Sequence, residues 1–540
     1  MFFVFESLLS IVLLSVLYAV WKIAPILYRG LNSPLRRLPG PPSDSLFFGN
    51  FNTVAKQENA VLEEWLADYG DTIAYPDLFG RRRLLTLDTR ALNHILTHSV
   101  EFQKPEQGRY HLAKTVGPGV LVAEGEQHRL QRRVLNPAFG PAQIRELTYI
   151  FLEKSIELRN VIASQVANNG GTLRLDVLSW LSKTTLDIIG LAGFNYDFNS
   201  LDPDGQVNEL NEAFGTVFSS ANDSRLFAVL QAVIPPLRLL RTKRAKRAAQ
   251  SQAVMRRIGL QLIAEKKAAI LGEKTSEKQG VERKDVQGRD LLSLLIKANM
   301  AVDIPENQRL SDEEVLAQVP TFIVAGHETT STATTWCLFA LSKAPEAQRK
   351  LREELLSVPT DAPSMDELMA LPYLDMVVKE TLRVHSPVPA TSRVSTKYDQ
   401  IPLSKPFTDR NGEVHDSIPY SDLILVPILI LNRSKALWGE DALEFKPERW
   451  EHPPETITSI PGVWGHVLSF LGGPRSCIGY RFSLVEMKAL LFTLVRSFEF
   501  NLAVPAADVT SRQRIVQRPI IRSEPEKGSQ MPLIVKLYRS

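Results

Sequence analysis

Cysteine is nearly absent: Cys337 and Cys477 are the only two among 540 residues. A zinc site of four cysteines is excluded by arithmetic, and two thiols make no disulfide framework. A secreted chain of this size usually carries more, so the sparse usage favours a reducing compartment. An excess of charge is lacking too. Sixty-three Lys and Arg against 60 Asp and Glu leave +3 at pH 7, too even a balance for nucleic acid as a general partner. No repeat period is visible, and no second proline-rich linker interrupts the chain after residue 45. With 44% hydrophobic and 23% charged residues, the composition is that of an ordinary globular protein. These absences favour one large, mainly α domain with small β-sheets over several small domains.

The N-terminus lacks basic residues before an apolar run, Phe2 to Val20, which is about the length that crosses a bilayer. Glu6 interrupts it near its end, where the carboxylate reaches the interface. Trp21 and Tyr28 are placed as interfacial aromatics, and Lys22, Arg29, Arg36 and Arg37 all follow the run. That asymmetry predicts a single transmembrane helix with the C-terminal side in the cytosol. A cleaved signal peptide needs a basic start and a small-residue cleavage site, and neither is present. The prolines of L-P-G-P-P, Leu38 to Pro42, predict a stiff extended hinge. The expected organisation is an anchor over 1–28, a basic and proline-rich hinge over 29–45, and a catalytic domain over 46–540.

Helical periodicity runs from Ala60 to Leu355, broken by a polar stretch, Gly272 to Arg289, that reads as a surface connection. Strand-like runs occur near Arg82 to Leu87 and Leu423 to Leu431. Leu226 to Leu240, apolar and followed by a basic run to Arg247, suits either a membrane surface or an amphipathic helix with one solvated face.

Cys477 lies in S-F-L-G-G-P-R-S-C-I-G-Y-R-F, Ser469 to Phe482, just before a helical pattern over Tyr480 to Phe500. A helix N-terminus and a nearby cation both stabilise a thiolate. Gly472, Gly473 and Gly479 allow tight turns and close approach by a flat object, and Arg475 can pair with an anion at its edge. The arrangement suits a thiolate under a metal macrocycle such as haem. A buried inert cysteine explains Cys477 alone, but not Phe470, Gly473, Arg475 and Gly479 around it.

Further motifs precede it. A-G-H-E-T-T, Ala325 to Thr330, sits in a helical segment that opens at Ser311 and Glu314 with a capping-box pattern. Pro320 inside that segment should cost a hydrogen bond and kink the helix. Glu380 and Arg383 of E-T-L-R share a helix face, and F-K-P-E-R-W, Phe445 to Trp450, follows.

F-x-x-G-x-R-x-C-x-G, Phe470 to Gly479, resembles the haem-binding signature of the cytochrome P450 superfamily at every fixed position. The resemblance extends through the other motifs and over nearly the whole chain, and in detail is similar to fungal, microsomal members. It implies the cytochrome P450 fold behind a single transmembrane helix. Cys477 would be the proximal ligand of a haem b iron, and Glu328 and Thr329 the acid–alcohol pair that relays protons during oxygen activation. Glu380, Arg383 and Arg449 would form a structural triad. His128 (where the family has tryptophan), Arg132 and Arg393 would meet the haem carboxylates.

The implied activity is a haem-thiolate monooxygenase at the endoplasmic reticulum membrane. Its electrons would come from NADPH through a cytochrome P450 reductase, with cytochrome b5 as a further partner. Arg129, Arg133 and Lys488 are candidates for docking the reductase, or ordinary solvated charges. The segments that line family pockets, here Val116 to Val122, Ala221 to Leu230 and Val384 to Val388, are largely apolar. They imply a hydrophobic substrate, terpenoid-like and of secondary metabolism, with a fatty acid, a sterol or a xenobiotic as alternatives. A non-oxidative relative and a haem sensor that is not an enzyme stay as rivals.

Overall fold

The computed structural model describes residues 33–57, 59–202, 243–276, 290–300, 308–420, 422–513 and 515–538, with scattered positions in 17–32, 209–213 and at 305. Most of the expected membrane anchor, the stretch Leu226 to Leu240 and the segment Ala221 to Leu230 lie outside the described residues. Among the described residues no helix is long and apolar enough to cross a membrane.

In chain order the strands are β1 (Thr72–Pro76), β2 (Arg82–Thr86), β3 (Phe102–Gln103), β4 (Thr172–Asp176), β5 (Thr391–Ser395), β6 (Asp399–Thr408), β7 (Val414–Tyr420), β8 (Leu423–Val426), β9 (Phe498–Leu502), β10 (Val509–Gln513), β11 (Gln517–Ile521) and β12 (Pro532–Leu537). The helices used below are α1 (Asn59–Tyr69), α2 (Gly125–Leu135), α3 (Pro141–Asn168), α4 (Val177–Phe194), α5 (Gln318–Lys343), α6 (Pro372–Val384) and α7 (Tyr480–Ser497). The expectation of a mainly helical chain with small sheets is met.

The chain divides into two compact units. The first comprises Met1–Tyr110, Thr216–Gln250 and Ala390–Ile430. Its five-stranded sheet has the order β1-β2-β8-β5-β3. The strand expected near Arg82 pairs in parallel with the one expected near Leu423. That second strand is shorter than its apolar run: it ends at Val426, and Ile428–Asn432 is helical instead. Pro427 has no N–H for the ladder, and a fully buried run carries no period that separates strand from helix. Val61, Leu62, Trp65 and Leu66 of α1 pack with Ile73, Tyr75 and Leu85 into a core, each fully buried large side chain contributing roughly 1.5–3 kcal/mol.

The proline-rich segment is fastened to this sheet. Pro39 C=O accepts from Ala74 N–H at 2.9 Å. Arg410 donates to the Leu38 and Gly40 carbonyls at 3.0 and 2.9 Å. A Cβ on Gly40 would stand 2.4 Å from Ala74 O, so only glycine lets the two backbones meet.

The second unit, His111–Gly215, Ser251–Pro389 and Leu431–Ser540, is built around α5. This helix is buried on nearly every side, as a helix in the middle of a large core must be. It packs on α4 and α7, and α7 packs on α3. Gly326 gives the close crossing: its Cβ would lie 2.8 Å from Ile189 Cγ1. The capping box is present at Ser311 and Glu314, but it opens a short helix, Asp312–Leu316. Pro320 then divides the segment rather than bending it from within. Helix α5 starts at Gln318, so the proline stands in a first turn, where its missing N–H has no intrahelical acceptor. The polar connection expected from Gly272 is helical as far as Ser276, and its remainder lies outside the described residues.

Glu380, Arg383 and Arg449 come together as expected. Arg383 is wholly buried and uses all five donors. It meets Glu380 at 2.9 and 2.8 Å and the carbonyls of Asn432, Ala442 and Glu444. Arg449 Nε stands 3.5 Å from Glu380 and binds Asp441 more closely, at 2.5 Å. Replacing Arg383 by Ala takes the nearest counter-charge from the buried Glu380 and frees the three carbonyls that Arg383 binds. The expected loss is about 3–5 kcal/mol, read as a lowered midpoint in thermal or urea unfolding; an unchanged midpoint contradicts this account.

Candidate active site

The loop before α7 is made of two 3-10 turns, Leu468–Phe470 and Gly473–Arg475. It closes on itself where Cys477 N–H donates to Phe470 C=O at 2.8 Å. Gly472 is the glycine that space demands: a Cβ there would fall 1.7 Å from Pro461 O. Gly473 has φ +67, and Gly479 N-caps α7. Leu471 holds φ +55, a conformation costing a branched residue about 1–3 kcal/mol. Hydrogen bonds from Val463 N–H to its carbonyl and from its own N–H to Leu468 keep it there. Phe470 is buried between the Trp464 and Tyr480 rings. Between buried Phe470 and Ser476 on one side and α7 on the other, Cys477 is exposed. Its side chain thus opens onto space, yet the surrounding protein still disfavours the charged form. Burial pushes the thiol up, against the Gly479 N–H and Arg132, which pull it down. Cys337, by contrast, is wholly buried and pushed up to about 12 by desolvation, an inert core residue.

Helix α2 supplies the cations. Arg132 donates to Ser476 C=O at 2.6 Å and to Asn136 Oδ1 at 3.1 Å. Burial lowers its pKa, and Cys477 raises it. His128 is buried one turn earlier. Glu124 stands one turn before that, at the N-cap, and forms an ion pair with Arg475. Arg475 also donates to Ala123 C=O at 2.6 Å. Sequence reading left this acid out: Glu124 precedes the helix with extended backbone, φ −126 and ψ 164, so helical spacing does not point to it. Arg393 belongs to the other unit, on β5. It is 2% exposed, held by Thr391 and Ser392, and its Nη2 has no hydrogen-bond partner. Desolvation brings it down to about 10. An orphaned buried guanidinium nitrogen is what a carboxylate ligand would satisfy.

On α5, Thr329 Oγ1 donates to Ala325 C=O at 2.7 Å. Its neighbour Glu328 is buried and doubly paired: Arg518 of β11 donates to both its oxygens, one at 2.9 Å, and His327 Nε2 lies 3.3 Å away. Burial alone would raise its pKa, but His327 and Arg518 outweigh it and hold the carboxyl at about 2. Glu328 is therefore a fixed carboxylate at neutral pH. Arg518 is a second residue that sequence reading missed, since it lies 190 positions away. The third is Glu486 of α7, wholly buried, its oxygens without a hydrogen bond of good geometry, and pushed well above the usual carboxylate range by desolvation.

The docking candidates separate. Arg129 and Arg133 are exposed, on Glu126 and Gln308. Lys488 is not available: it is wholly buried and paired with Asp375 at 2.8 Å, because α7 is packed on that face too. Of the expected pocket segments, Val116 to Val122 rests on the start of α5. Thr321 Oγ1 donates to Val116 C=O at 2.8 Å, and Gln318 Oε1 accepts from Val120 N–H at 2.9 Å.

The family model described as "Cytochrome P450" matches residues 39–520. The chain is 57% identical to cytochrome P450 monooxygenase 205 of Postia placenta, over 99% of this chain and 98% of that one. It is 56% identical to cytochrome P450 monooxygenase 128 of the same fungus, over 96% of each. A ganoderic acid synthetase of Ganoderma lucidum is 35% identical over 91% of this chain and 93% of its own.

The Glu328 pairing has a pH signature. A carboxyl whose folded pKa lies below its unfolded value adds stability that is present above pH ~4.5 and is lost as pH falls toward 2. Arg518→Leu weakens that pairing, so the variant should be less stable than the parent by roughly 2–3 kcal/mol at pH 6. The gap should narrow as pH falls from 5 to 3. Urea unfolding at several pH values measures it; a gap independent of pH removes the charge from the explanation.

Proposed function

The chain belongs to the cytochrome P450 family, whose members hold haem iron through a thiolate, and we propose that Cys477 is that ligand and that the enzyme oxidises a hydrophobic small molecule. The observation that carries the proposal is the exposed Cys477 in an otherwise closed loop, with Arg132 bound to the preceding carbonyl, that of Ser476. The residues fit the group: a thiol open to a ligand, Arg132 on the adjoining carbonyl, and Gly473 at φ +67 turning the loop before the cysteine. Bound haem would supply oxygen activation, fed by two electrons from NADPH through a reductase.

The chain's own residues do the rest. Cys477 gives up its proton against the cost of burial, helped by the Gly479 N–H and Arg132. Arg132, Arg393, Arg475 and His128 hold the haem carboxylates. Phe470, Gly473 and Gly479 shape the seat. Glu328, a carboxylate at neutral pH, orients the proton path as a hydrogen-bond acceptor beside Thr329. Thr329 holds a proton at Oγ1, parked on the Ala325 carbonyl, and presents it by rotating away. Arg129 and Arg133 meet an acidic reductase surface, with cytochrome b5 as an accessory partner.

The substrate class in this reading is terpenoid-like, within fungal secondary metabolism. Support comes from the apolar pocket segments and from the relative named for ganoderic acid synthesis. Residues 1–28 anchor the enzyme in the endoplasmic reticulum membrane, and 46–540 carry out catalysis in the cytosol. Leu17, Trp21 and Tyr28 are exposed at helical spacing, and Leu46, Phe47 and Phe48 are exposed in the turn after the prolines. Such a surface favours a bilayer.

Reduced, carbon monoxide-treated wild type should show a strongly red-shifted Soret band that Cys477→Ser lacks. Folded protein that takes up haem without that band overturns the ligand assignment. With a reductase, NADPH-dependent oxygen uptake and a hydroxylated product are expected from a terpenoid panel, and a purely fatty-acid product spectrum moves the substrate class. The full chain should stay in the membrane fraction through alkaline carbonate extraction. Removal of residues 2–20 should release it from that resistance; a full chain extracted by carbonate contradicts the anchor.

A further inference from the structure

We propose that Glu124 holds down the reduction potential of the haem by cancelling the charge of Arg475. The proposal rests on the haem occupying the Cys477 loop.

Two guanidinium groups reach that loop, and they differ in one respect. Arg132 is held by neutral oxygens, the Ser476 carbonyl and the Asn136 amide. Arg475, two residues before Cys477, is ion-paired with Glu124. The side chains of the pair are 5% and 7% exposed, so neither water nor salt screens them well, and each unit charge acts over a long range. Glu124 is the N-cap of α2, with φ −126 and ψ 164, but its carboxylate caps nothing in its own helix. It is directed instead at the cysteine loop. The pair adds no net charge beside the ligand, where Arg475 alone would add one positive charge.

Adding an electron to a group is favoured by nearby positive charge and opposed by negative charge. A chain with Glu124 is therefore harder to reduce than the same chain without it. Glu124 at the N-cap and Arg132 on α2 thus bring an acid and a base to the same loop. The acid trims the field that the two arginines would otherwise impose.

The test is a dye-mediated spectroelectrochemical titration of the haem-loaded, full-length protein at fixed pH and salt. Glu124→Gln should shift the midpoint to more positive potential. Glu124→Asp, which keeps the charge, should stay at the wild-type value. Glu124→Gln with Arg475→Gln removes the pair together and should return toward wild type. A purely structural Glu124 would speed haem loss without moving the potential, and a Glu124→Gln midpoint equal to wild type overturns the proposal. Should Glu124→Gln not retain haem, the double variant decides, and if that too is lost, Glu124→Asp decides: a clear shift in either overturns it. The carbon monoxide spectrum of the wild type keeps the two readings apart. Its failure to show the red-shifted band sinks the site assignment, whereas a normal band with an unmoved midpoint sinks only the role of Glu124.

Discussion

A guanidinium shut away from water must find an acceptor for every N–H, and in this protein Arg383 finds five. Its partners come from three places in the chain: Glu380 on its own helix, Asn432, and the Ala442 to Glu444 turn. Because Arg383 cannot be hydrated where it sits, those segments cannot drift apart. The order then passes outward. Asn432, whose carbonyl Arg383 holds, accepts from Leu468 N–H at 2.8 Å and donates to Ser469 Oγ at 2.9 Å. Ser469 in turn donates to the Leu382 carbonyl. The next residue is Phe470, whose carbonyl receives the Cys477 N–H. The position of the Cys477 sulfur is thus traceable, bond by bond, to a buried ion pair two segments away.

The second theme is how few charges near the centre are left uncompensated. Glu328 is answered by Arg518 and His327, Arg475 by Glu124, and Lys488 by Asp375. Glu486 meets the same problem differently: burial raises its pKa well above the usual carboxylate range and so favours the neutral form. In a medium of low polarity each unpaired charge would cost several kcal/mol. Arg132 is the exception: neutral oxygens, the Ser476 carbonyl and the Asn136 amide, hold it in place of an acid.

The cysteine loop was legible because its residues are close in sequence and their spacing is dictated by backbone geometry: a turn that closes from Phe470 to Cys477 leaves little freedom. The capping box at Ser311 and the Glu380–Arg383 pair were legible for the same local reason. Arg518 was not, since a partner 190 residues away leaves no periodic trace. Lys488 was misread because a lysine is normally solvated, and only the packing of α7 on every side shows otherwise. Pro320 was read as a defect within a helix. Its place is the first turn, and the difference turns on a boundary at Ala317 that propensity alone does not locate. The end of β8 is the mirror case: Pro427 was visible, but an apolar run on both its sides hid the change from strand to helix.

The proline segment is anything but a loose tether. Leu35 and Leu38 are buried almost completely, and Arg410 grips the carbonyls on either side of Pro39. A slack leash would let whatever precedes it swing freely; a strap riveted to the sheet gives it a fixed bearing. For protein engineering this sets a clean cutting line. Gly30 is already buried, and a Cβ there would stand 2.3 Å from Gly80 O, so a cut at or past it removes part of the folded body itself.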